Sequence, residues 1–245
     1  IQYGKYNNAI EAMGKIADNN PEAAYVLGLA HIEKEDFAAA RQAFAKHPTD
    51  FFSLAGQALI LIKDGKAAQA EPILQGIVDK AKKKDWERYK VAADAINYGG
   101  AGNVTNAEQW YLKSLEIKKD VNTYVALGDL YQYRMQNRGG DAMTNYESAE
   151  KLNANQSLVY SKIANLWLRS RNYEKALDYF TKAKDADTQN PLPYKSLASA
   201  YNRAGQTKIA LENIEKYLQL SEQSTKDKID YANILLAAKE YDKAS

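Results

Sequence analysis

The residues able to do chemistry in this chain are few and badly spaced for it. Cysteine is absent, which removes thiolate metal sites, disulfides and a cysteine nucleophile. There are two histidines, His31 and His47, sixteen positions apart. A zinc site needs three or four converging ligands, and no nearby carboxylate spacing completes one. His31 reads as a packed or half-exposed ring. His47, before Pro48, reads as a ring at a helix end, where partial positive charge suits the dipole. The glycine-rich stretch GGAGNVT, from Gly99 to Thr105, has the flexibility of a phosphate loop. It lacks the Gly-Lys-Ser/Thr ending and no strand precedes it, so it reads as an inter-helix turn. The run KAKKK, Lys80 to Lys84, is expected to end a helix, where lysines meet the negative dipole, rather than to grip nucleic acid. Asn103-Val104-Thr105 and Asn155-Gln156-Ser157 spell glycan acceptors, a spelling that arises readily by chance. No catalytic constellation, metal site or cofactor motif emerges, and the chain is expected not to be an enzyme.

Composition agrees with a binding or structural role. The 33 basic and 31 acidic residues nearly cancel, leaving +2. That balance gives no reason to expect nucleic acid as a partner. No run reaches the roughly eighteen apolar residues of a membrane span, so no direct insertion is expected. The wording, rich in Lys, Asn, Gln and Tyr, suggests a bacterial chain of the periplasm or cell envelope. The chain opens at Ile1 and stops inside a repeat, so it is read as a piece of a longer protein.

One pattern recurs from end to end. YEKALDYF at Tyr173–Phe180 echoes YNNAIEAM at Tyr6–Met13 and FAAARQAF at Phe37–Phe44. Its alanines, Ala9, Ala40, Ala70, Ala107, Ala142, Ala176, Ala210 and Ala244, are spaced by 31, 30, 37, 35, 34, 34 and 34 residues. About twelve residues before most of them lies another small residue: Gly28, Ala58, Ala95, Gly128, Ala164, Ala198 or Ala232. A large residue follows each small one at three or four positions, such as Tyr98, Tyr131 and Trp167 in the first set, or Phe44, Tyr146 and Phe180 in the second. Offsets of three and four share a helix face. Each unit is therefore two amphipathic helices that cross closely at Gly or Ala, with the large side chains filling the space around. The 18 tyrosines are mostly explained as core filling on these positions.

This helix–turn–helix of about 34 residues resembles the tetratricopeptide repeat. The residues that carry the resemblance are clearest in TYVALGDLY, with Tyr124, Leu127, Gly128 and Tyr131 in the family's places. The match runs through nearly the whole chain, with short early units and three extra residues near Asp79–Trp86. The resemblance implies an all-α, right-handed α-solenoid superhelix in one array over 1–245. A half unit at 1–20 is followed by units at 21–48, 49–86, 87–120, 121–156, 157–190 and 191–224, and by a truncated unit at 225–245.

It also implies a concave groove lined by the first helices, which binds another protein or an extended peptide. Carried onto this sequence, that groove is apolar early, at Tyr25, Leu29, Phe52 and Leu59, unless the short early units bury these residues on one another. It is polar and slightly basic late, at Asp129, Asn165, Lys195 and Asn202, with Arg169 and Arg203 beside them. The family's clamp for acidic chaperone tails is incomplete: the aligned positions hold Ser161, Asn165, Ser196 and Lys228, without an arginine. Two alternatives stand beside the scaffold reading. One is self-assembly, within an envelope complex, through open ends such as that around Tyr231, Leu235 and Tyr241. The other is a recognition array fused to a domain outside this window.

Overall fold

The computed structural model describes residues 5–223 and 225–237. Every regular element among them is an α-helix. The first compact unit, Tyr6–Leu152, holds α1 (Tyr6–Gly14), α2 (Pro21–Glu33), α3 (Phe37–Ala45), α4 (Phe51–Lys63), α5 (Ala67–Asp79), α6 (Trp86–Gly99), α7 (Val104–Ile117), α8 (Val121–Tyr133) and α9 (Gly139–Glu150). The second begins at Asn153 and holds α10 (Gln156–Arg169), α11 (Tyr173–Ala186), α12 (Pro191–Arg203), α13 (Thr207–Leu220) and α14 (Thr225–Ala237). The fold is an all-α helical repeat.

The helices begin where short polar side chains take up free backbone N–H groups. Asn20, Asp36, Asp50, Asp120, Asn172 and Asn190 each accept such a bond from the first turn of the helix they precede. Pro21 and Pro191 follow at the first helical position, where the missing N–H costs nothing. Within a pair the two helices are joined by a repeated tight turn. Glu35, Gly65, Arg171 and Gly205 all adopt the left-handed conformation, with φ of 59°, 78°, 60° and 75°. The next residue's N–H returns to the carbonyl of His31, Leu61, Trp167 or Tyr201, closing the helix end as a Schellman turn does.

The small-and-large pattern forms the core as expected. Ala40, Ala70, Ala107, Ala142, Ala176 and Ala210 are buried, and so are Phe44, Leu74, Tyr111, Tyr146, Phe180 and Ile214. Gly28 and Gly128 mark close approaches: a Cβ at Gly28 would lie 2.2 Å from the Phe44 ring, and one at Gly128 2.4 Å from Tyr146. Gly56, which the repeat spacing does not single out, approaches the same ring along its Cδ1–Cε1 edge, where a Cβ would also lie at 2.2 Å. In the first unit the first helices of successive pairs also touch in series, α2 to α4, α4 to α6 and α6 to α8.

Three expectations need correction. The lysine run meets the end of α5 only through Lys80, its C-cap residue, and Ala81–Lys84 form the connection to α6. There Asp85 accepts the Lys82 N–H and holds the turn. Tyr98 is not core filling: it sits next to the end of α6, past the helix crossing, and is 39% exposed. At the far end, Leu235 does not form an open face, since it and Ile234 are buried. The Tyr231 hydroxyl donates to Glu215, and Tyr241 lies outside the described residues.

Candidate functional site

Three first helices of the first unit carry the lining of a cavity of about 420 Å³. α2 contributes Tyr25, Leu29 and Glu33, and α6 contributes Asp94, Asn97 and Tyr98. Ala126, Asp129, Tyr133 and the cap residue Arg134 come from α8, and Tyr111 reaches in from α7. α6 packs directly on α8, and α2 joins them through α4, the first helix between.

Tyrosines hold the carboxylates of this cavity. Tyr111 donates to Asp94 at 2.7 Å, and Tyr146 donates to Asp129 at 2.7 Å. The same separation, seventeen residues from aspartate to tyrosine, recurs in two successive pairs. Glu33 receives the hydroxyls of Tyr6, at 2.9 Å, and of Tyr98, which reaches it from α6. Burial, then the nearby charge of Asp94, pushes the pKa of Tyr25 and of Tyr111 up, so both phenols remain protonated donors. Beside the cavity, burial first and a hydrogen bond to Glu108 second raise Tyr131, whose ring carries the Arg138 guanidinium at 4.4 Å.

The cationic groups nearby are engaged. Arg134 donates from Nη1 to the carbonyls of Ile96 and Asn97, at 3.0 and 3.3 Å, near the negative end of α6. Lys90 pairs with the other oxygen of Asp94. Lys63 lies 4.8 Å over the Tyr98 ring. Asn97 ties α6 to α8 by donating to the Ala126 carbonyl at 2.9 Å. The lining is made of carboxylates, tyrosines, one asparagine, one arginine and aliphatic side chains, without serine, cysteine or histidine.

Of the groove residues expected from sequence, this cavity brings together Tyr25, Leu29 and Asp129. The apolar early groove is largely closed on itself: Tyr25, Ile32, Ala55, Leu59, Ile62 and Ile96 are buried, and Leu29 and Phe52 are half-buried. Phe52 packs its ring on Tyr25 at 5.8 Å. In the second unit, Asn165 and Arg169 lie on α10, and Lys195, Asn202 and Arg203 on α12. Lys195 is committed to α14, 2.6 Å from buried Asp227 and 3.6 Å from Asp230. Arg169 and Arg203 are exposed, while Asn165 and Asn202 are half-buried. Sequence reasoning missed Glu33, Asp94 and Tyr98. The separation shared by Asp94–Tyr111 and Asp129–Tyr146 was the signal available for Asp94.

The remaining candidates have structural places. His47 bonds through Nε2 to the Ala17 carbonyl at 2.8 Å, and His31 lies 3.8 Å from Asp36. GGAGN turns between α6 and α7, with Gly100 and Gly102 at positive φ. Asn103 there accepts the first N–H groups of α7, the groups an anion would need. Among the described residues no group of three His, Asp or Glu could hold a metal ion, and no helix is long and apolar enough to cross a membrane.

Comparison with known proteins follows the same line. Residues 2–51 match the tetratricopeptide repeat family model. PilW, a type IV pilus biogenesis factor, superposes with a TM-score of 0.62 at 19% identity, over 78% of this chain and 87% of its own. A chain of the APC/C hetero-tetramer Cut9–Hcn1 gives 0.56 at 15% identity over 96% of this chain, which spans only 47% of that one. PilF of Pseudomonas aeruginosa gives 0.52 at 14% identity, over 93% and 88%. At these identities the likeness is one of fold.

Proposed function

We propose that this helical-repeat chain, whose residues 2–51 match the tetratricopeptide repeat family model, is a non-enzymatic scaffold that holds an extended segment of a partner protein along its first helices. The observation that carries this reading is the cavity walled by α2, α6 and α8. Its wall is fixed before any partner arrives, because buried side chains and tyrosine–carboxylate bonds set it. Binding then orders mainly the partner. The half-exposed polar face of α10 and α12, with Asn165, Arg169, Asn202 and Arg203, is proposed as a second contact surface.

Site-specific photo-crosslinking tests this. A photoreactive residue at Leu29, in the cavity, should capture a discrete partner from native extract. One at exposed Leu112, on α7 away from the cavity, should not. Equal capture at both, or none at Leu29, would remove the groove reading. A second reading, self-association, draws on α14, where Ile229 and Leu236 are exposed. Light scattering of Ile229→Lys against the parent distinguishes it: oligomers that vanish with the variant would favour assembly over partner binding.

A further inference from the structure

We infer that the cavity of the first unit is shaped for a cationic side chain, the ammonium of lysine or the guanidinium of arginine, presented by an extended partner segment. The inference rests on the groove reading above and adds the chemistry of the occupant. The cavity has an excess of acceptors. Glu33, Asp94 and Asp129 face it, and each carboxylate, with about four lone-pair sites, is already anchored by a tyrosine hydroxyl. The donors run the other way: Asn97 Nδ2 and Arg134 Nη1 end on backbone carbonyls, and Lys90 on Asp94. Three carboxylates therefore outweigh the single guanidinium of Arg134 in the lining.

Three further observations point to a donor cation. The Tyr25 side chain is 7% exposed and lines the cavity, yet its hydroxyl has no hydrogen-bonding partner among the described residues. Its oxygen opens onto the cavity, where it can accept from an N–H donor. Tyr98 at the mouth, 39% exposed, already draws the Lys63 ammonium to 4.8 Å from its ring centroid, so aromatic surface there attracts a cation. Glu33 is the last residue of α2, where the helix dipole disfavours a carboxylate and a bound cation would offset it. An acidic occupant would meet three carboxylates against one guanidinium, and an aliphatic one would strip them of water without replacing it.

Fluorescence polarisation tests the inference with a labelled decapeptide of alternating lysine and serine. Counterparts carry glutamate or norleucine in place of lysine. The lysine peptide should bind, with affinity falling as salt rises, and the other two should not. The double variant Glu33→Gln, Asp129→Asn keeps the acceptors for the tyrosines and should weaken binding about tenfold. Tyr25→Phe should weaken it severalfold while the melting temperature holds or rises, because only an unpartnered hydroxyl is lost. Lysine and norleucine peptides of equal affinity would overturn the cation inference and leave the groove reading intact. Lysine-peptide binding unchanged in all these variants would do the same. Spermidine binding without peptide binding would also overturn it. If no peptide binds while Leu29 still captures a partner, only the cation inference falls; if Leu29 also captures nothing, both fall.

Discussion

At the scale of single residues, the closest approaches in this protein are made at glycine. Phe44 is approached by both Gly28 and Gly56, and an added Cβ on either would overlap its ring at 2.2 Å. Phe44 is fully buried and packs on the Tyr25 ring at 5.8 Å, which limits how far it can yield. Gly56→Ala should therefore destabilise the fold by about 1–3 kcal/mol, despite the better helix propensity of alanine. Chemical denaturation measures this, and an unchanged midpoint would mean the ring does not sit there. Gly28 was legible because it occupies a repeated place within its own unit. Gly56 was not, because the ring it accommodates belongs to the preceding unit, and a single-unit pattern carries no trace of that neighbour.

At the scale of elements, the turn between paired helices is one geometry built from different residues. Gly65 and Gly205 adopt positive φ without strain, but Arg171 carries a side chain in the same conformation. Arg171→Gly should raise stability by about 1 kcal/mol, read as a higher denaturation midpoint. A lower midpoint would show that the arginine side chain makes an offsetting contact. α14 has a different dependence. Burial alone would lower the Lys195 pKa, but the hydrogen bond to Asp227 and the neighbouring negative charges outweigh it and raise the value. Burial and the same carboxylate raise Tyr217, whose hydroxyl donates to Asp227 at 2.8 Å. Raised values mean that the folded chain keeps both protons longer than the unfolded chain. The contribution is complete below pH of about 10 and is lost as pH climbs past it. Amide exchange in α14, corrected for its intrinsic acceleration, should rise with alkaline pH earlier than exchange in α11. Lys195→Met should flatten much of that dependence.

At the scale of the molecule, contacts run mainly between neighbouring helices, so damage should stay local. Phe44→Ala removes a buried ring that Gly28 and Gly56 both approach. Its amide exchange should quicken in α2–α5 well before α10–α13 respond, measured residue by residue under native conditions. A uniform increase would mean that the chain unfolds as one cooperative body.

The sequence by itself determined the helical repeat, the repeated close crossing inside each unit and the absence of cysteine chemistry. Each of these follows from residue types at helical spacing within one unit, and local periodicity is enough to read it. Only the tertiary structure decided which carboxylates share a cavity. Glu33, Asp94 and Asp129 come from three different first helices, and Tyr98 reaches Glu33 across 65 positions. It also decided that Tyr25 is covered while its hydroxyl lacks a partner, and that Lys195 belongs to α14. The physical reason is common to all of these. Whether a polar side chain faces a core, a cavity or an opposite charge depends on how one helix pair is set against the next, and short early units change that setting without altering the pattern inside any unit.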